Sequence, residues 1–279
     1  MVSPETQPDA WSSWQELTSA RIALGRAGGS LPTREWLKFS LAHARARDAV
    51  HIELDSQRLS DEMQSLGWET IVVASQAHDR TEMLQRPDRG RKLRPDDAIR
   101  LQQLASTATP GPSDGYTFDL AILVADGLSA VAAQAHAVGL LKNLLPPFHD
   151  RGWRISPIVI AHQGRVALQD EVGSCLNARL ILSLIGERPG LGSPDSLGAY
   201  FVYEPRPGRN DAQRNCVSNI RPDGLPLPAA ADTLIYLLTA SHTRHLSGVD
   251  LKDDRVLLEE NTNPMKSMDS PSEKDGSHS

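Results

Sequence analysis

The stretch FDLAILVADG, residues 118 to 127, constrains this chain most. It is an unbroken apolar run closed by Asp-Gly. A strand with one wet face alternates polar and apolar side chains, so a continuous run marks a strand covered on both faces. TIVVASQA (70 to 77), WRISPIVIAHQG (153 to 164), ARLILSLIG (178 to 186) and LGAYFVY (197 to 203) also read as strands. Helical patterns lie between and after them. They are RPDDAIRLQQLAST (94 to 107), with Pro95 in the first turn, LSAVAAQAHAVGLLKNLL (128 to 145), VALQDEVGSCLN (166 to 177), and a long last helix from Pro228 capped by Gly248. Alternating strand and helix predicts an α/β fold: a Rossmann-like, doubly wound, mostly parallel sheet over 69–258, with helices on both faces.

Upstream, a helix is expected from Trp11 to about Leu24, ending at GRAGGSLP. Thr33 then resembles an N-cap. Trp36, Phe39, His43, Ala46 and Val50 follow at helical spacing, which places His43 on a packed apolar face. A third helix is expected from Asp55 to Gly67. Together these predict a small N-terminal helical domain over 11–68. A flexible start (1–10) and a polar, disordered tail (259–279) complete the chain.

Composition excludes several classes. A net charge of −6 leaves no global basic field for nucleic acid. No run reaches the ~18 apolar residues of a membrane span. The start, MVSPETQPDAWSSW, lacks the basic and apolar regions of a secretory signal. Two cysteines, Cys175 and Cys216, make no disulfide framework and fit the cytoplasm.

Ligands of open parallel sheets bind beyond the carboxyl ends of the strands. That rule selects loops 79 to 93, 125 to 130, 161 to 166 and 186 to 198. In the last, Gly190 and Gly192 form G-x-G, but Asp195 stands where the third glycine belongs and a strand follows. A dinucleotide fingerprint needs that glycine and a helix. RPDRGR (86 to 91) suits a phosphate or carboxylate, or is a solvated loop pairing with Asp88. GRAGGS (25 to 30) reads as a helix C-cap or as a place of close backbone approach. The nine histidines show no zinc-ligand spacing. Cys216 is expected in a polar loop, and no G-x-S-x-G elbow accompanies Ser196 or Ser218. The residues alone thus describe a ligand-binding domain with no catalytic constellation of its own.

The motifs GRAGGSLPTREWLKFSLAHARARDAVH, RPDRGRKL, VADGLSAVAAQAH, GRVALQDEVG, IGERPGLGSPDSLGAYFVYEP and RNCVSNIRPDGL occur in this order. Together they resemble the small (light) subunit of ethanolamine ammonia-lyase, over roughly Ala20 to Asp254. The resemblance implies an adenosylcobalamin (coenzyme B12) enzyme that converts ethanolamine to acetaldehyde and ammonia by a radical route. It implies a large-subunit partner with a TIM barrel that carries the substrate site, in a hetero-oligomer with cobalamin between the two subunits. The large subunit would hold the reacting groups, so no catalytic residue and no metal ligand is expected here. His162 lies in AHQGRV, outside the D-x-H-x-x-G pattern that replaces the cofactor's own base, which agrees with base-on binding. Carried over by motif, the cobalamin-contacting residues are Val166 in GRVALQ, Glu187 in IGERPG and Cys216 in RNCVSN. Asp126, Ser129 and Arg188 are weaker neighbours on the same edge. The family's members often carry an N-terminal extension linked to a bacterial microcompartment; no amphipathic targeting helix stands in the residues before the shared region. Two competing readings are a stand-alone Rossmann-like nucleotide-binding oxidoreductase and a non-catalytic scaffold subunit.

Overall fold

The computed structural model describes residues 9, 11–18, 20–108 and 115–255. The expected disordered tail, and the expected flexible start apart from Asp9, lie outside the described residues. A 3-10 turn at Ser12–Glu16 precedes α1 (Thr33–His51), α2 (Ser56–Ser65), β1 (Thr70–Ala74), α3 (Arg80–Gln85), α4 (Pro95–Thr107) and β2 (Phe118–Ala125). Then come α5 (Ala130–Leu144), α6 (Pro146–Asp150), β3 (Ile158–His162), α7 (Leu168–Cys175), β4 (Ala178–Gly186), β5 (Leu197–Tyr203), β6 (Asn215–Ile220) and α8 (Leu227–Arg244).

The six strands form one sheet in the order β1-β3-β2-β4-β5-β6. The pairings among β1, β3, β2 and β4 are parallel. β5 and β6 return antiparallel and extend the sheet beyond β4. All eight residues of β2 are buried. Its side chains alternate between two cores: Leu120, Ile122 and Val124 face one, and Ala121, Leu123 and Ala125 face the other. Residues of α2, α5 and α8 build the first core, and residues of α4 and α7 build the second. Helix starts follow local chemistry: the Asp55 side chain caps α2 by accepting from Arg58 N, and Asp79 caps α3 by accepting from Glu82 N. Pro95 opens α4, with Asp96 and Asp97 in its positive first turn.

The N-terminal expectations need correction. Among the described residues, only the 3-10 turn at Ser12–Glu16 forms where a helix to Leu24 was expected, and none of its residues is buried. A segment that buries no side chain lacks the tertiary support that short helices need. α1 forms, with Pro32 and not Thr33 at its N-cap, but its expected apolar face is open: Trp36 and Phe39 are exposed, and so is His43, stacked on Phe39. In α2, Leu59 and Met63 join the main core. At the other end, α8 stops at Arg244 because His245 takes the left-handed conformation at φ 56°, three residues before Gly248. Cys216 lies in β6, not in a loop. β6 is an edge strand with Val217 and Ile220 buried between wet neighbours, so its sequence is hard to tell from a polar loop.

Candidate functional site

The four predicted loops meet at the carboxyl edge of the parallel strands. Gly186 O accepts from Leu128 N at 2.8 Å, and Gly90 O accepts from Arg165 N at 2.8 Å. Ser129 caps α5 and donates its hydroxyl to Pro194 O at 2.8 Å. Asp126 is buried, and its carboxylate accepts from Gln163 N at 2.9 Å and Gly164 N at 2.8 Å. Arg80 Nη1 lies 3.4 Å from the same carboxylate and donates to Gly127 O at 2.7 Å. Asp126 and Ser129 are therefore bolts between loops, with their polar atoms turned inward. Burial pushes the Asp126 carboxyl up, against the pull of Arg80.

A cleft of about 840 Å³ opens beside this edge. Val166, Tyr200 and Cys216 line it together with Arg91, Arg165 and Arg214. Val166 and Cys216, fifty residues apart in sequence, thus share one surface. The register of the antiparallel return places Tyr200 opposite Cys216. Their side chains lie close enough to influence each other's titration. Cys216 is exposed as a residue, yet its thiol sits close enough to protein for desolvation to raise its pKa, and the Glu187 charge adds to this against the influence of Tyr200. A thiol held protonated is a soft contact and not a nucleophile. Desolvation also raises the Tyr200 phenol.

Glu187 does not line the cleft but borders it. Its backbone N–H donates to Ser196 O at 2.9 Å. Its carboxylate accepts from Ser196 Oγ at 2.5 Å and from Asn219 N at 3.2 Å. Glu187 therefore braces the 186–198 loop against β6, one layer from Cys216.

The arginines divide by what they already hold. Arg86 pairs with Asp88, and Arg89 pairs with Glu82. Arg209 donates to Tyr203 O and Glu204 O, and Arg214 to the Asp170 carboxylate and Arg209 O. The Arg165 Nε is buried without a hydrogen-bond partner. Burial lowers the Arg165 pKa most, and the charges of Arg80, Arg91 and Arg188 lower it further. The RPDRGR loop is thus split: Arg86 is locally paired, while Arg91 faces the cleft. GRAGGS caps no helix, and at Gly28 and Gly29 nothing approaches where a side chain would stand.

Tyr200, Arg165 and Arg214 were not singled out from the sequence. Tyr200 is the only residue of β5 that is not fully buried, but an apolar run does not announce which position is open. His162 Nε2 is 2.9 Å from Ser56 Oγ. Among the described residues no group of three His, Cys, Asp or Glu side chains is placed to hold a metal. No helix among them is long and apolar enough to cross a membrane.

Fold and cleft define a mixed α/β chain with an arginine-rich, partly apolar candidate ligand surface beside its strand ends. The sequence model of the ethanolamine ammonia-lyase light chain (EutC) matches residues 8–252. The ethanolamine ammonia-lyase small subunit of Azotobacter vinelandii is 51% identical over 252 residues, covering 90% of this chain and 91% of that one. The small subunit from Pseudomonas syringae pv. tomato is 50% identical over 247 residues, covering 88% and 84%. That from Ralstonia nicotianae is 50% identical over 243 residues, covering 87% and 88%. The chain belongs to the ethanolamine ammonia-lyase light chain family.

Proposed function

We propose that this chain is the small subunit of an adenosylcobalamin-dependent ethanolamine ammonia-lyase, and that its Rossmann-like domain holds base-on cobalamin against a TIM-barrel large subunit. The observation that carries the reading is the cleft that joins Val166 and Cys216 beneath Arg91 and Arg165. These residues fit the group. Val166, Tyr200 and a protonated Cys216 give a soft surface for a corrin edge. Arg165, with its buried unpartnered Nε, suits the phosphodiester of the nucleotide tail. Glu187 stands beside the cleft as an acceptor for corrin amide or ribose hydroxyl groups. His162 is engaged with Ser56, consistent with a cofactor that keeps its own base.

When bound, the cofactor supplies the radical that starts carbon–nitrogen cleavage. This chain's part is to bind, orient and screen from water. Cobalamin is larger than the cleft, so a second surface has to complete its enclosure. That agrees with a shared cofactor and with the absence of a catalytic residue among the three assigned positions. The working location is the cytoplasm or a bacterial microcompartment. The oxidoreductase reading loses ground because Gly190 and Gly192 lead into β5 and not into a helix.

Co-purification with the large subunit tests the reading. The expected result is a complex that retains cobalamin and deaminates ethanolamine only when cobalamin is present. A large subunit equally active without this chain would refute it. A complex whose cobalamin is unaffected by changes at Val166, Glu187 and Cys216 would leave only the scaffold reading.

A further inference from the structure

Nine of the thirteen large hydrophobic side chains exposed among the described residues lie between Trp11 and Ile52. On α1, Trp36 is 57% exposed, Leu37 56% and Leu41 53%. This helix has 19 residues, about 28 Å of length at 1.5 Å per residue, and only Ala49 is buried. Most of the stability of protein helices comes from a packed face. Monomeric proteins rarely leave contiguous apolar area of this kind open. α1 is also basic: Arg34, Lys38, Arg45 and Arg47 stand against Glu35 and Asp48, on a chain whose net charge is −6.

The position of α1 says what covers it. Arg80 donates from Nε to Val50 O at 2.6 Å and from Nη1 to Gly127 O at 2.7 Å. One buried guanidinium therefore pins the end of α1 to the strand-end rim. Arg21 Nη2, from the segment before α1, donates to Leu191 O in the 186–198 loop at 3.2 Å. The open apolar face and the candidate cofactor cleft thus belong to one edge of the molecule.

We propose that α1, with the aromatic turn at Trp11 and Trp14, is the docking element for the large subunit, which meets it with an apolar surface flanked by acidic side chains. This rests on the small-subunit reading above. A second copy of this chain is the competing occupant. It is disfavoured because self-association would bring the net positive charge of one α1 against that of another.

The test combines Trp36→Glu with Phe39→Glu in the full chain. Both side chains are exposed, so the isolated variant should melt within a degree or two of the parent. The expected result is at least a tenfold weaker association with the large subunit by titration calorimetry. Amide exchange in the parent gives an independent readout: residues 33–51 should exchange fast in the free chain and slow at least tenfold in the complex. Unchanged association together with unprotected α1 amides overturns the proposal and leaves the small-subunit reading intact. A parent chain that fails to bind the large subunit overturns both. A parent that is dimeric by light scattering, made monomeric by the double variant while large-subunit binding is unchanged, overturns the proposal in favour of self-association.

Discussion

Arg165 carries a buried Nε with no partner, inside a cluster of like charge. An anion there would gain a charge-assisted hydrogen bond worth about 1.5–3 kcal/mol. Arg165→Ala in the assembled complex should therefore weaken cobalamin binding about tenfold. It should leave cobinamide, which lacks the nucleotide phosphodiester, nearly untouched. Equilibrium dialysis with both corrinoids separates the cases; an equal loss for both would move the phosphate elsewhere. Glu187→Ala should lower cobalamin retention more than assembly, since its carboxylate braces the loop next to Cys216. Identical cobalamin affinity in variant and parent would remove Glu187 from the site. Asp170 gives a pH signature. Burial pushes its carboxyl up to about 6, despite Arg214, and its Oδ1 has no donor. The unfolded chain titrates this group near 3.8. The folded state therefore holds the proton more tightly, and this contribution to stability falls between pH 4 and 6 and stays lost above. Relative to Asp170→Asn, the parent should lose stability between pH 4 and 7 in urea unfolding. A constant difference across that range would mean an ordinary carboxyl.

At the scale of elements, β4 ends where two loops press together. A side chain on Gly186 would stand 1.9 Å from Ser129 O, so only glycine lets the 126–130 loop close on this strand. Gly192, one of the G-x-G pair, has open space and no strained conformation. Gly186→Ala should cost about 1–3 kcal/mol or more in urea unfolding, and Gly192→Ala should lie within about 0.5 kcal/mol of the parent. Reversed effects would contradict this packing. The same contrast explains what the sequence could disclose. β2 and β4 were legible because two cores bury every residue. β6 was not, because one buried face on an edge strand reads as a polar loop. The periodicity of α1 reported a face that needs cover without saying what covers it. The nearness of Val166 and Cys216 depends on the antiparallel return of β5 and β6, which local pattern does not encode. The motif resemblance pointed to both residues, whereas Tyr200 and Arg165 emerged only from the folded geometry.

At the scale of the whole molecule, the cleft is open on one side and too small for a corrinoid. The isolated chain should therefore bind cobalamin at least a hundredfold more weakly than the assembled enzyme, measured by dialysis at equal protein concentration. Equal affinity would mean that this chain alone encloses the cofactor.

Arg80 touches Val50, Gly127 and Asp126 with a single side chain. This strut joins the root of the proposed docking helix to the rim beside the candidate cleft, and any coupling that it carries between partner docking and cofactor binding is reciprocal. Whatever factor partner docking adds to cofactor affinity, the cofactor must return to partner affinity. The subunit would then act as a coincidence detector, gripping firmly only when both are present.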